Sequence, residues 1–154
     1  GGHAVQVGSK NYLLPVDADG SNTALCYPVD RLYEELGKAE ANNVFVFLDA
    51  CYSGVGRGIV LRAKKTPVKG NLIVMTATSS SQKSMPYQEK GHGLFTYFLL
   101  KTMKDYNGDI TIGDLYDKVS STVKTNSIWI NNMEQTPELI NGPDIATEWK
   151  EWKF

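Results

Sequence analysis

The sequence has few cysteines, no long apolar run and no excess of charge of either sign. Two cysteines among 154 residues are too few for a disulfide scaffold. No apolar run approaches the roughly 20 residues of a membrane span, and the first residues lack the layout of a signal peptide. The 16 basic and 17 acidic residues are spread evenly, which leaves no basic face for nucleic acid or an anionic membrane. We therefore expect a cytoplasmic protein without nucleic-acid or membrane partners.

What the sequence does have is the composition of one ordinary globular domain. With 42% hydrophobic and 21% charged residues, the chain is long enough to bury a real core. We expect a single domain over residues 1–154.

Three short apolar runs predict strands, and the segments that follow them predict helices. The runs cover residues 11–16, 44–48 and 71–78. Apolar residues at helical spacing predict amphipathic helices near residues 29–36, 94–103 and 115–123. Continuous apolar strands that alternate with helices favour an α/β fold with a mostly parallel sheet, flanked by helices on both faces.

One candidate nucleophile stands where the second apolar run ends. Cys51 follows Asp49 and Ala50, and ligands of such sheets gather at the carboxyl ends of the strands. A free cysteine there is most often a buried core residue. The turn after it contains Gly54, and its backbone N–H groups could bind an oxyanion. The residues alone leave both interpretations open.

A thiol nucleophile needs a base, and only two histidines are available. His92 stands between two glycines directly before an apolar helical run, where it suits helix entry. His3 is followed by a polar, hairpin-like stretch and a strand, which suits a residue on a loop above the sheet. Taken singly, each histidine is more often structural or exposed than catalytic.

Four stretches carry a resemblance to a known family. They read VFLDACYSG, GHAVQVGSKNYLLPVDAD, TATSSSQKSMPYQEKGHGLFTYFLLK and QTPEL. Together they resemble the bacterial caspase-like cysteine peptidases, relatives of caspases, metacaspases, legumain and gingipains in the caspase-hemoglobinase fold. The resemblance implies a three-layer sandwich, of which this chain is expected to be the C-terminal two-thirds. It also implies that another chain could supply the missing first strands.

The resemblance assigns the catalytic roles. It implies that His3 and Cys51 form the dyad, since the His of caspases lies about 50 residues before the Cys. The backbone N–H groups of Ala4 and Cys51 are implied to bind the oxyanion. Ala4 stands where the family usually has glycine, which restricts the backbone there.

Substrate contacts follow from the same resemblance. Metacaspases have an aspartate two residues before the nucleophile and cleave after Arg or Lys, so Asp49 is expected to bind a basic side chain. An unpartnered carboxylate would gain roughly 2 to 5 kcal/mol from such a cation; the alternative is that Asp49 caps a turn. Ser79 and Ser80 are expected to border the substrate cleft.

An acidic segment and a glycine-rich loop each allow two interpretations. Asp17, Asp19 and Asn22 suit a turn better than a calcium site, because their spacing does not fit an EF-hand loop; calcium is kept as a weak expectation, since some metacaspases bind it. The glycine-rich, basic loop 54–70 is expected to be an exposed connector, with self-cleavage inside it as the alternative.

The sequence therefore predicts a cysteine endopeptidase that requires no cofactor and acts on polypeptide substrates, cleaving after Arg or Lys. The alternative is a catalytically inactive caspase-like module with a regulatory or assembly role, which the substitution at Ala4 keeps open.

Overall fold

The computed structural model describes residues 1–18, 21–54, 67–79 and 82–154, with the backbone alone for residues 51–54. Most of the predicted loop, together with Asp19 and Ser80, therefore lies outside the described residues. The strands are β1 (Gly2–Val7), β2 (Lys10–Leu14), β3 (Tyr27–Pro28), β4 (Val44–Leu48), β5 (Ala50–Gly54), β6 (Leu72–Thr76), β7 (Pro86–Tyr87), β8 (His92–Gly93) and β9 (Glu138–Asn141). The helices are α1 (Val29–Gly37), α2 (Leu94–Asp105) and α3 (Ile112–Asn131), and short 3₁₀ turns lie between them.

Strand β6 lies at the centre of the core. Its residues Leu72–Met75 are at most 2% exposed, as the continuous apolar run predicted. The strand pairs in parallel with β4 and antiparallel with β9. This three-stranded sheet organises the rest of the molecule.

Helices cover both faces of this sheet. On one face, Val29 and Tyr33 of α1 pack with Leu72 and Val74. On the other, residues of α2 and α3 pack around Ile73 and Met75. The resulting three layers confirm the predicted α/β sandwich.

A second sheet, ordered β3-β2-β1-β5, brings the start of the chain beside β5. Strands β1 and β5 are parallel, whereas β1, β2 and β3 form an antiparallel meander. Of the pairs among described strands, those of β1 with β5 and β4 with β6 are parallel and the others antiparallel. The sheets are therefore mixed rather than mostly parallel.

Helix α3 covers the predicted segment 115–123 and ends later than expected. The hydroxyl of Thr111 accepts a hydrogen bond from the N–H of Asp114 at 3.2 Å, which caps the first turn. The helix continues to Asn131 through Ser, Thr and Asn residues of modest helix propensity. Its inner face reaches Ser127, which is fully buried, so tertiary packing extends the helix.

The last residues fold back onto β4. Phe154 lies 5.3 Å from Phe45 and 6.2 Å from Phe47 between ring centroids, and Trp152 contacts Phe45 edge-on. The closing segment forms a 3₁₀ turn over Glu148–Glu151 rather than a strand. Cys26 is buried before α1 as a free thiol. Within the described ranges, no helix is both long and apolar enough to cross a lipid bilayer.

A fully buried glutamine joins α3 to the segment that follows β6. The side chain of Gln135 donates to the carbonyl of Ala77 at 3.0 Å and accepts from the N–H of Met85 at 2.8 Å. Its own N–H donates to the Ser127 hydroxyl at 2.9 Å. Gln135 thus holds both ends of segment 77–85.

We predict that Gln135→Ala destabilises the fold. Truncation leaves the buried Ala77 carbonyl and the half-buried Met85 N–H without this partner, at a cost of up to roughly 1 to 3 kcal/mol for each group. Chemical denaturation measures the loss, and Gln88→Ala, at an exposed glutamine, is the control. Equal stability of the two variants would contradict the prediction.

Candidate active site

The site lies at the carboxyl edge of the three-stranded sheet. Strands β4 and β6 are parallel with Leu48 opposite Thr76, and the N–H of Ala77 donates to the carbonyl of Leu48 at 2.8 Å. Asp49 and the segment after Ala77 therefore leave the sheet side by side. This is the edge at which open α/β sheets bind ligands.

Strand pairing brings the two candidate catalytic residues together. In the parallel pair of β1 and β5, His3 stands opposite Cys51. Neighbouring strands are about 4.8 Å apart, so the two backbones are adjacent although 48 positions separate the residues in sequence. His3 is exposed.

A small cavity of about 140 Å³ opens beside His3. It is formed where the start of β1, the end of β2 and the connection between β4 and β5 meet. Its lining residues are Gly1, Gly2, His3, Leu13, Leu14, Leu48, Asp49 and Ala50. His3 and Asp49 thus border one cavity.

Ala4 is fully buried in the second sheet. It lies between β2, where its partner is Leu13, and β5, where its partner is Tyr52. In this conformation Ala4 has an interaction partner within the protein.

The carboxylate of Asp49 accepts three hydrogen bonds from the protein. The Ser84 hydroxyl donates to Oδ1. The Thr96 hydroxyl and backbone N–H donate to Oδ2 at 2.6 and 3.1 Å. Since Thr96 is in the first turn of α2, Asp49 caps this helix from outside, at the end that favours negative charge. A carboxylate without a partner, which the argument for cation binding assumed, is therefore not what the structure contains.

The glycine after His92 is required by this contact. A Cβ added to Gly93 would lie 2.9 Å from Cγ of Asp49 and closer still to Oδ2. This close packing agrees with the sequence-based interpretation of the Gly-His-Gly stretch. His92 itself is exposed and borders a separate groove of about 400 Å³ beside Tyr97 and Lys101 of α2. The pairing of β1 with β5 places the backbone of His3 beside that of Cys51.

The candidate cleft residues lie after β6. Ser79 is half-buried, and its carbonyl accepts from the N–H of Gln82 at 3.1 Å. Gln82 in turn accepts from the N–H of Thr136 at 2.7 Å. Ser80 falls outside the described residues.

Of the acidic segment near residue 17, the structure describes Asp17 and Asn22 but not Asp19. Asp17 is exposed, and the Asn22 side chain accepts from the N–H of Ala24 at 3.0 Å, capping a 3₁₀ turn. Across the described parts of the chain, no group of three or more His, Cys, Asp or Glu residues could hold a metal ion.

Sequence reasoning missed three residues that organise the site: Ser84, Thr96 and Gln135. The partners of Asp49 lie 35 and 47 positions away along the chain. No local pattern marks them, and only the match of their stretches to a known family pointed to this region.

The sequence matches the caspase domain family over residues 1–143. The chain therefore belongs to this family, whose members are cysteine peptidases of family C14, hydrolases of polypeptides. No curated protein matches the chain significantly in sequence.

The fold is similar to that of caspase-1 from Spodoptera frugiperda, with a TM-score of 0.61 at 15% identity. The match covers 91% of this chain and 58% of that caspase. The chain thus spans a little over half the length of the caspase, and at this identity the likeness concerns the fold alone.

We predict that Gly93→Ala destabilises the protein by roughly 1 to 3 kcal/mol, because the new methyl group overlaps the Asp49 carboxylate. The free energy of unfolding measures the effect. Gly2→Ala is the control, since a Cβ there meets nothing within 4 Å. A loss in Gly93→Ala no larger than in the control would refute the proposed contact.

Proposed function

We propose that the protein is a cysteine endopeptidase in which Cys51 is the nucleophile and His3 the base. The observation that carries the proposal is the register of β1 and β5, which sets His3 opposite Cys51 at the carboxyl edge of the sheet. Membership of the caspase domain family supports the same chemistry.

The proposed reaction has two stages. The thiol of Cys51 gives its proton to His3, and its sulfur attacks the scissile carbonyl carbon. The C–N bond then breaks as the imidazolium returns the proton to the leaving amine. A water, deprotonated by His3, attacks the thioester, and the C–S bond breaks to release the carboxylate product and restore the thiol. No cofactor takes part, and a calcium requirement would show as loss of activity with a chelator.

The backbone N–H groups of Cys51 and Ala4 are the proposed oxyanion donors. Because Ala4 is buried between β2 and β5, its N–H would reach a substrate oxygen only if the pairing of β1 with β5 changed locally.

We predict that Cys51→Ala and His3→Ala each lower kcat/KM for peptide cleavage by about three orders of magnitude or more. Neither change should unfold the protein, because His3 is exposed and Cys51→Ala is a small substitution. A fluorogenic peptide assay, with circular dichroism to check folding, measures this. His92→Ala is the matched control and should retain activity. An active His3→Ala together with a folded but inactive His92→Ala would reverse the assignment.

We further propose that cleavage follows Arg or Lys. Asp49 borders the same cavity as His3, and it is the proposed contact for a basic side chain of the substrate. An ionised carboxylate has about four acceptor sites, and the described residues fill three of them. We propose that the fourth accepts from the cation of the substrate.

We predict that Asp49→Asn reduces the preference for Arg and Lys over uncharged residues, since the amide has the shape of the carboxylate but no charge. Asparagine is preferable to alanine here because alanine would also remove the cap of α2. A peptide library varied at the residue before the cut measures the preference. A wild-type preference for Asp or bulky apolar residues would exclude the proposed specificity.

An inactive module with a regulatory or assembly role is the second candidate, and the burial of Ala4 favours it. An electrophilic peptide that targets active cysteine peptidases distinguishes the two functions. A folded protein that forms no adduct at Cys51 would be an inactive module, whereas an adduct detected by mass spectrometry supports the peptidase.

A second chain is a further proposed partner. Among the described strands, β4 and β9 are the edges of the three-stranded sheet, and the β4 edge is the proposed place for strands from another chain. Light scattering of the purified protein tests this, and a monomer at all concentrations would argue against pairing between copies.

A further inference from the structure

We infer that Asp49, Ser84 and Thr96 form a clamp that positions the two catalytic strands, so that Ser84 and Thr96 are positioning residues of the reaction. The inference rests on the proposed function for its kinetic consequence. Its structural content, a fixed relation between His3 and Cys51, is testable without peptide cleavage.

The chain passes from one sheet to the other at Asp49. Strand β4 ends at Leu48 and β5 begins at Ala50, yet the two belong to different sheets. Asp49 is the single residue between them. The orientation of β5, and with it the position of Cys51, therefore depends on the backbone at Asp49.

The backbone of Asp49 is hydrogen-bonded to the start of β1. Its carbonyl accepts a hydrogen bond from the N–H of Gly2 at 3.0 Å. Gly2 directly precedes His3 at the start of β1. Asp49 is thus hydrogen-bonded to Gly2, the residue before His3, and lies two positions before Cys51.

The side chain of Asp49 is itself held by hydrogen bonds from two other segments. Both carboxylate oxygens accept from side chains or backbone of rigid segments, Thr96 in α2 and Ser84 before β7. Helix α2 is anchored in the core through Leu94 and Phe95, which are at most 1% exposed. Ser84 is itself buried. The clamp therefore connects the site to the buried core.

Removal of one donor should loosen this connection without disturbing the core. A hydroxyl group is small, and Thr96→Val keeps the shape of the side chain while Ser84→Ala removes a single oxygen atom. A misplacement of about 1 Å between catalytic groups lowers a rate by up to about a hundredfold, so partial loss of the clamp should cost on the order of tenfold.

The experiment compares Ser84→Ala, Thr96→Val and the conservative Thr96→Ser with wild type. Ser121→Ala, an exposed serine on α3, is the control. Two assays are made on folded protein. The first measures kcat and KM for an Arg substrate and for an uncharged one. The second measures the rate at which iodoacetamide alkylates Cys51, with the modified residue located by peptide mass mapping.

We expect kcat to fall about tenfold for both substrates in Ser84→Ala and Thr96→Val, with little change in KM, and Cys51 alkylation to slow in parallel. Thr96→Ser and Ser121→Ala should behave as wild type. Unchanged kcat and alkylation would overturn the inference, and so would a rise of KM confined to the Arg substrate. If wild type cleaves no peptide, the proposed function fails, and alkylation alone then decides whether the clamp positions Cys51.

Discussion

The change of sheet at Asp49 is the constraint on which the site depends. The chain passes from β4 to β5 through this one residue, so its conformation sets where the second sheet meets the first. A single connecting residue has only two soft backbone dihedrals, φ and ψ, and small changes in them would swing β5 as a unit. The bonds of Asp49 to Gly2, Ser84 and Thr96 remove that freedom. The geometry of the site is thus set by hydrogen bonds at the edge of the sheet.

These hydrogen bonds are effective because the elements they join are fixed by apolar burial. The four inner residues of β6 are almost inaccessible, and each contributes roughly 1.5 to 3 kcal/mol through burial. The same strand packs against α1 on one face and against α2 and α3 on the other. A helix held in this way offers a rigid N-terminus, and Gln135 fixes segment 77–85 to the end of α3. The buried core therefore fixes the elements whose hydrogen bonds position Asp49 at the edge of the sheet.

Structural features that arise from short-range sequence patterns could be predicted, whereas features that arise from contacts between distant residues could not. The runs at 44–48 and 71–78 and the helical spacing are short-range patterns, and the structure shows β4, β6, α2 and the first part of α3 near where they were expected. Strand β9 and the last turns of α3 were not predicted, because Ser, Thr and Asn favour turns in isolation and only tertiary packing overrides them. At the site, the strand end at Asp49 could be predicted, whereas its partners could not. Hydrogen bonds across 35 and 47 positions leave no periodic signal in the sequence.

The occupied carboxylate also limits how strongly Asp49 could select a basic substrate. The earlier estimate of roughly 2 to 5 kcal/mol treated the charge as buried and unpaired, so that a guanidinium would relieve a desolvation cost. Three donors already offset that cost, and Asp49 is only half-buried. What remains is attraction between charges, about 1 kcal/mol at 4 Å in water and about 4 kcal/mol near a protein surface. A preference near the lower value would be about tenfold or less, and a stronger one would need a second acidic or hydrogen-bonding group in the substrate cleft.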